Sequence, residues 1–444
     1  MIVVRSSRGH PGPFRRPGPR SEAVFLYQKS RLDNGLRIIT SSIPHARSVS
    51  VAFFVRVGSR NEPASLQGAS HFLEHMLFKG TEKRPTPKDI SEAIEGIGGY
   101  FNAEAGKELT VFWDKVADRH WPIAIEVLAD LLRHSRFDPD EIEKERKVIA
   151  EEIGMLTDSP ADWVHVLIDQ ALWGDRPLGR DVAGTRESVL QITRAQLLDW
   201  FATYYTPPNV VVSVSGPVRH EDICSEIDRL TGDWQGVLPP RWEPAGASPT
   251  TRILLKPRRT EQAHLCLAVP ALPYAHPQRY ALELLNIILG EGMSSRLFLE
   301  IREKHGLAYD VHSYTNEYED TGSLVIYAGV EPARIDEALR AILGEIARLC
   351  DPIPEDELGR AKEFWKGRML LRLEDTRSIA AWLGAQELLL GRIETIDDVI
   401  ERVDRVESCD LSRLAEHLFR PDRLCLAIIG PYRSEERFAR ALHL

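Results

Sequence analysis

The chain has 444 residues, of which 43% are hydrophobic and 27% are charged, and its formal net charge is −10. This composition is typical of a folded globular protein, so collagen-like, low-complexity and wholly disordered classes are excluded. No apolar run approaches the ~20 residues that a transmembrane helix needs, which predicts no membrane insertion. The acidic balance argues against a nucleic-acid-binding protein, which needs a basic surface. At roughly 100–200 residues per domain, the length predicts two to four domains.

The cysteines and the N-terminal tail bear on the compartment. Five cysteines lie scattered along the chain without the close pairs of a zinc ribbon, so no disulfide framework is expected. A reducing compartment follows, and we expect the cytoplasm of a bacterium. Residues 1–24 are rich in arginine and proline and are predicted to form a disordered tail. The alternative is a mitochondrial transit peptide and a place in the mitochondrial matrix, although the prolines oppose its amphipathic helix.

Strand and helix patterns alternate after the tail. A turn signal at 33–35 separates two predicted strands, and residues 48–60 alternate as a central strand does. Helical spacing of apolar residues predicts one helix over 66–78 and a second over 121–134. A third, strongly acidic helix is expected to begin after Asp138, because aspartate is a favoured N-cap and the next residue is proline.

The two halves of the chain resemble each other at an offset of about 215 residues. The matching segments are a strand with a proline-marked turn (51–63 and 265–277), two strands with a polar connection (98–116 and 309–330), and a proline-led helix (137–153 and 352–370). This repeat predicts an α+β fold of two homologous domains, each a mostly antiparallel sheet with helices packed on one face. The Pro- and Gly-rich stretch 232–250 predicts a linker between a first domain over 25–231 and a second over 251–444.

A histidine–glutamate pattern stands in the first predicted helix. His71 and His75 lie four residues apart, so one helix face carries both imidazoles, and Glu74 is near the same face. Histidine and carboxylate ligands suit zinc, and Glu145 or Glu152 on the acidic helix could complete the set, because both face the same way. Helical geometry alone does not choose between them. The pattern predicts zinc-assisted hydrolysis with a glutamate base, and ordinary structural histidines are the alternative.

The segment GASHFLEHMLFKGT at 68–81 carries H-x-x-E-H, the inverted form of a zinc-protease motif. It resembles the active-site helix of the pitrilysin/insulinase family, and in particular the mitochondrial processing peptidase β-subunit and its bacterial relatives. The resemblance implies one Zn²⁺ per chain, held by His71, His75 and Glu152. It also implies that Glu145 lies close by and orients the site.

A segment of the second half, 289–311, resembles the C-terminal domain of the same family. The resemblance implies that Arg302 and Tyr309 reach across to the active site, where they bind substrate backbone and stabilise the developing oxyanion. No histidine pair stands in the second half, and GEGMSSRLF at 290–298 is expected in place of the histidine helix. The second domain is therefore predicted to bind no metal and to close over the peptide.

The segment 99–112 resembles the edge strand to which family members add an extended peptide, and Asn102 and Ala103 match its residues. The resemblance implies a zinc metalloendopeptidase that acts on short or unfolded peptides inside a closed chamber, with Glu74 as general base. Larger family members join four such domains, so a homodimer is expected here, with a heterodimer also possible. A structural subunit without metal and a non-catalytic peptide-binding partner are the alternatives.

Overall fold

The computed structural model describes residues 27–246 and 253–442. The predicted tail 1–24 and residues 247–252, at the end of the predicted linker, lie outside these described residues. The described part contains eleven β-strands and fifteen α-helices, arranged around two sheets. None of the helices in these ranges is both long enough and apolar enough to span a lipid bilayer.

The first half of the chain forms a six-stranded sheet. Its strands are β1 (Tyr27–Arg31), β2 (Arg37–Ser42), β3 (Ser48–Val55), β4 (Tyr100–Ala105), β5 (Thr110–Ala117) and β6 (Val210–Gly216). They lie in the order β1-β2-β6-β3-β5-β4, and every pair is antiparallel except β2 with β6. Strand β4 is therefore at an edge, where one side of its backbone is free of sheet partners.

The described part of the first half of the chain contains eight helices. They are α1 (Ala69–Leu77), α2 (Pro87–Glu95), α3 (Trp121–His134), α4 (Pro139–Asp158), α5 (Pro160–Trp173), α6 (Arg186–Gln191), α7 (Arg194–Tyr204) and α8 (His220–Thr231). The predicted start of α4 is confirmed, because Asp138 caps the helix by accepting the N–H of Asp140 at 2.9 Å.

The second half forms a five-stranded sheet. Its strands are β7 (Ile253–Pro257), β8 (Ala263–Ala271), β9 (Ala308–Glu317), β10 (Gly322–Val330) and β11 (Cys425–Gly430), in the order β7-β11-β8-β10-β9. The helices are α9 (Arg279–Gly290), α10 (Ile335–Leu349), α11 (Glu355–Arg372), α12 (Thr376–Leu390), α13 (Ile396–Arg405), α14 (Ser408–Leu418) and α15 (Glu436–Ala441), with a π-helical segment at Phe298–Lys304. Only the pair β7 and β11 is parallel.

Apart from the additional strand β1 of the first sheet, the two sheets share one topology. In each, a parallel pair is followed by three antiparallel strands that end in an edge strand, β4 or β9. The prediction of two homologous α+β domains is confirmed. One detail was wrong: helix α9 follows β8 just as α1 follows β3, so 290–298 begins where α9 ends instead of taking the place of the histidine helix. The reason is that the apolar sequence before it already has helical spacing.

The first sheet has a helix of the second half on the face opposite its own helices. Neighbouring side chains of a strand point to opposite faces, so Phe53 lies in the core with the first half's helices, while Phe54 lies in a second core with Leu383 of α12. The approach is close, because a Cβ at Gly384 would lie 2.2 Å from the Phe54 ring. Helix α12 thereby ties the second half to the first sheet.

The second sheet receives a helix of the first half in return. Ile168 and Leu172 of α5 are fully buried and share a core with Cys266, Val325 and residues of β11. Each half therefore contributes one helix to the other half's sheet. This exchange holds the two domains together through two apolar interfaces. Each interface stabilises the folded chain, because it removes further apolar surface from water.

Candidate metal centre

The metal-ligand candidates lie on α1 and α4, which pack against each other. Helix α1 follows Gly68, whose φ of 89° favours glycine. The buried carboxylate of Glu62 accepts the N–H groups of Gly68 and Ser70, both at 2.7 Å. It thus satisfies main-chain donors that a helix N-terminus leaves unpaired. Burial raises the pKa of Glu62 to about 7.

Three possible ligand atoms converge between the two helices. The Nε2 atoms of His71 and His75 lie 3.3 Å apart, and Oε2 of Glu152 lies 3.8 Å and 3.6 Å from them. A tetrahedral zinc ion with bonds of about 2.0–2.1 Å separates its ligand atoms by roughly 3.3–3.5 Å. The donor set therefore fits zinc in both chemistry and spacing. Within the described ranges, no other three His, Cys, Asp or Glu side chains bring possible ligand atoms this close together.

The opposite nitrogen of His75 contacts Glu145. Its Nδ1 lies 2.9 Å from Oε2 of Glu145, and Nζ of Lys79 lies 2.5 Å from the other carboxylate oxygen. Burial opposes the charge of Glu145, but the hydrogen bonds from His75 and Lys79 outweigh it and lower its pKa. An ionised Glu145 fixes the proton of His75 on Nδ1, which leaves the Nε2 lone pair free for a metal.

His71 is neutral at physiological pH. Burial lowers the pKa of its ring to about 4, and the neighbouring His75 adds to this effect. The Nδ1 atom of His71 is buried, and among the described residues it has no hydrogen-bond partner. A neutral imidazole is the form that binds metal, so the Nε2 of His71 is available to an ion. Burial opposes the charge of the His75 ring, but the hydrogen bond to Glu145 and the charge of Glu152 outweigh it and raise the pKa, so a metal ion at the Nε2 of His75 displaces a proton.

Glu74 lies between the two histidines in sequence and reaches the edge strand of the sheet. Its Oε2 accepts the main-chain N–H of Ala105, the last residue of β4, at 2.7 Å. Burial raises the pKa of the Glu74 carboxyl. On the same strand, Asn102 is exposed and Ala103 is buried, and Oδ1 of Asn102 accepts the N–H of Ala103 at 2.9 Å. The histidine helix and the edge strand are thus in direct contact.

Arg302 and Tyr309 lie together in the second half. The guanidinium of Arg302 stands 4.6 Å from the centre of the Tyr309 ring and 4.8 Å from that of Phe298. Tyr309 is 76% exposed. These contacts place Arg302 beside Tyr309. That the two residues approach the histidines of α1 stays a prediction.

Three neighbours of the site were not foreseen from the sequence. Lys79 follows His75 by four residues, which is about one helical turn. The sequence therefore indicates that both side chains point to the same side, where both contact Glu145. Glu62 and Ala105 gave no such signal. Their contacts with α1 form only because the segment after β3 and the β4–β5 hairpin fold back on that helix.

Comparisons with known proteins agree along nearly the whole chain. The family model "Insulinase (Peptidase family M16)" matches residues 37–186, and "Peptidase M16 inactive domain" matches 191–364. The uncharacterized zinc protease YmxG of Bacillus subtilis (strain 168) is 39% identical over 413 residues, which are 91% of this chain and 98% of that protein. The uncharacterized zinc protease SCO5738 of Streptomyces coelicolor is 37% identical over 429 residues, 95% of this chain and 92% of that protein.

The fold agrees as well. A solved structure of a protease from Helicobacter pylori matches with a TM-score of 0.85 at 22% identity, over 91% of this chain and 100% of that one. Sequence identity above 35% across whole chains, together with two matched family models, establishes common descent. This chain belongs to peptidase family M16, the insulinase family.

Proposed function

We propose that this protein is a zinc-dependent metalloendopeptidase that hydrolyses peptide bonds of short or unfolded peptides. One observation carries the proposal: three possible ligand atoms from α1 and α4 lie 3.3–3.8 Å from one another, beside a glutamate that contacts an edge strand. The names of the bacterial relatives, both called zinc proteases, support the same activity.

The chain's own groups divide the chemistry between them. His71, His75 and Glu152 would hold one Zn²⁺, which when bound supplies a Lewis acid that activates water and polarises the peptide carbonyl. Glu74 takes a proton from the attacking water and delivers it to the leaving nitrogen. Glu145 acts through His75, because its carboxylate holds that ring in one tautomer and one orientation.

The substrate binds as an added strand. The free edge of β4 offers main-chain N–H and C=O groups to an extended peptide, and the matching residues Asn102 and Ala103 lie in the middle of that strand. Because the N–H of Ala105 donates to Glu74, the general base stands at the end of the same strand. A peptide paired with β4 therefore runs past the base.

The second half completes the site from the other side. The guanidinium of Arg302 and the hydroxyl of Tyr309 are hydrogen-bond donors that bind substrate backbone and stabilise the developing oxyanion when the second domain closes. That domain binds no metal of its own in this proposal. A homodimer encloses the chamber, and a related but different partner chain is the second possibility.

The proposed compartment is the bacterial cytoplasm. None of the five cysteines, all of which lie within the described ranges, forms a disulfide, which fits a reducing environment. The relatives that carry the match come from bacteria.

Zinc analysis of the purified protein, paired with a peptide-cleavage assay, tests this function. We expect about one zinc per chain and cleavage that chelator abolishes and added zinc restores. Size-exclusion chromatography with light scattering checks the dimer. Protein without zinc and without turnover would favour a structural subunit, and tight peptide binding without turnover would favour a non-catalytic partner.

A further inference from the structure

Arg60, between β3 and α1, is the largest fully buried side chain among the described residues. Its Nη1 lies 2.5 Å from Oε1 of Glu108 and 2.7 Å from Oδ1 of Asp320. Its Nη2 donates to the other oxygen of Asp320 at 2.8 Å and to the carbonyl of Glu243 at 3.1 Å. One guanidinium fork thus binds two carboxylates and a main-chain oxygen.

These partners come from three separate parts of the molecule. Glu108 lies in the turn between β4 and β5, Asp320 lies in the turn between β9 and β10 of the second half, and Glu243 lies in the connection between the halves. Glu108 also accepts the N–H of Glu319, at 3.0 Å and 3.2 Å to its two oxygens. The β9–β10 turn is therefore attached directly to the β4–β5 turn.

The surrounding groups strengthen this junction. The guanidinium groups of Arg56 and Arg60 lie 5.0 Å and 5.3 Å from the ring of Trp242, and Arg56 also pairs with Glu319. Such cation–π contacts gain strength away from water. We name the cluster of Arg56, Arg60, Glu108, Trp242, Glu319 and Asp320 the inter-half clamp.

The clamp lies next to the substrate strand. The N–H of Arg60 donates to the carbonyl of Lys107 at 2.8 Å. Glu108 stands three residues after Ala105, whose own N–H donates to Glu74. A shift of the clamp is therefore transmitted through a tight turn to the end of β4 that meets the proposed base.

On the other side, the clamp holds one end of β9. Asp320 lies three residues after Glu317, the last residue of this strand, and Tyr309 is the strand's second residue. At about 3.3 Å per residue, the strand carries Tyr309 roughly 25 Å from the clamped end. Because β9 is paired with β10 along its length, and β10 in turn with β8, Tyr309 moves together with the second sheet as one stiff unit. A small rotation of that sheet about the clamp becomes a larger displacement at Tyr309.

We propose that Arg60 is a positioning residue, which through Asp320 and Glu108 sets the place of the Arg302–Tyr309 pair relative to the substrate strand. This inference rests on the proposed function. Its consequence is that loosening the clamp lowers the rate of the chemical step while the metal ligands remain intact.

The test compares Asp320→Asn with Asp336→Asn. Asp320→Asn keeps the side-chain shape and removes the charge that Arg60 binds. Asp336 is the matched control, since it also pairs with an arginine fork, that of Arg437, but entirely inside the second half. We expect Asp320→Asn to lower kcat about ten- to a hundredfold with KM and zinc content nearly unchanged. Asp336→Asn should match the wild type, and Asp320→Glu should recover much of the loss.

Hydrogen exchange gives a readout that does not need turnover. In Asp320→Asn, amide exchange should rise in 100–108 and in 317–322 and stay unchanged elsewhere. The same pattern is expected in Arg60→Lys, which keeps the charge but loses the fork. Unchanged exchange at 100–108, a uniform rise along the chain, or an equal loss of kcat in Asp336→Asn would overturn the inference. If the wild type cleaves nothing, the proposed function fails and the exchange pattern still decides on the clamp.

Discussion

The two halves of this protein share a topology and differ in what their corresponding helices do. Helix α9 buries ten of its twelve residues inside the second half and contains no histidine. Helix α1 buries its apolar face but leaves His71, Glu74 and His75 partly exposed toward α4 and β4. The same fold is thus stable with or without the histidine pair, which shows that the candidate site is an addition to the fold and not a requirement for it.

A second difference lies inside the sheets. Asp114 stands opposite Val51 in the first sheet, and Ala328 stands opposite Leu265 at the corresponding place in the second. Asp114 is fully buried, and among the described residues only the main chain of Val51 interacts with its carboxylate. Burial raises the pKa of this carboxyl well above its ordinary value. At this position the first half therefore carries a buried carboxyl group where the second half has an alanine.

The largest expected effect concerns Glu74, which has no counterpart in α9. Glu74→Gln should lower kcat about 10²–10⁴-fold, because the base is lost, while zinc content stays the same. Single-turnover cleavage measures the rate, and metal analysis of the same preparation measures the zinc content. Glu92→Gln, on the exposed face of α2, is the control. Turnover of Glu74→Gln within a few-fold of the wild type would remove the assigned role.

The next effect separates the carboxylates of α4. Glu152→Gln should weaken zinc binding by more than about a hundredfold, whereas Glu145→Gln should weaken it about 10- to 100-fold, because Glu145 acts through His75. Glu151→Gln, one residue from Glu152 but exposed, should bind zinc as the wild type does. Competition with a chelator of known affinity gives the zinc dissociation constants of the three variants. Equal affinities for Glu152→Gln and Glu151→Gln would contradict the proposed ligand set.

A smaller effect tests the exchange of helices between the halves. Gly384→Ala places a methyl group 2.2 Å from the Phe54 ring and should lower the free energy of unfolding by about 1–3 kcal/mol. Gly367→Ala, in α11 with open space around it, should be neutral or stabilising by up to ~1 kcal/mol. Urea unfolding measures both. A neutral Gly384→Ala would mean that α12 packs more loosely on the first sheet.

The smallest effect is the pH dependence caused by Asp114. Above pH ~4 the unfolded chain loses this proton while the folded chain keeps it, so folding stability falls as the pH rises. Asp114→Ala introduces the residue that the second half has at this place. The free energy of unfolding of this variant, relative to that of the wild type, should therefore be higher at pH 8 than at pH 5. Val116→Ala on the same strand controls for the cavity. Urea midpoints with chelator present test this, and a pH-independent difference would refute it.

Much of this fold follows from local patterns. The helix Trp121–His134 and the N-cap at Asp138 were predictable, because amphipathic spacing and capping chemistry act over a few neighbouring residues. The pair His71 and His75 was recognisable for the same reason, since one helical turn brings both rings to one face. The repeat also revealed two related sheets, although not which helix follows β8.

The sequence by itself therefore determined the elements, the duplication and the histidine face. Helical spacing left open which carboxylate of α4 meets the Nε2 atoms, and the family resemblance implied Glu152. The tertiary structure places Glu152 near those atoms and Glu145 at Nδ1 of His75, because the packing of α4 against α1 separates two side chains that share a helix face. The tertiary structure alone decided that α5 and α12 cross to the opposite sheets, and that Arg60 joins two distant turns and the connection between the halves. Contacts between residues far apart in the chain depend on the relative placement of whole elements, which no local pattern encodes.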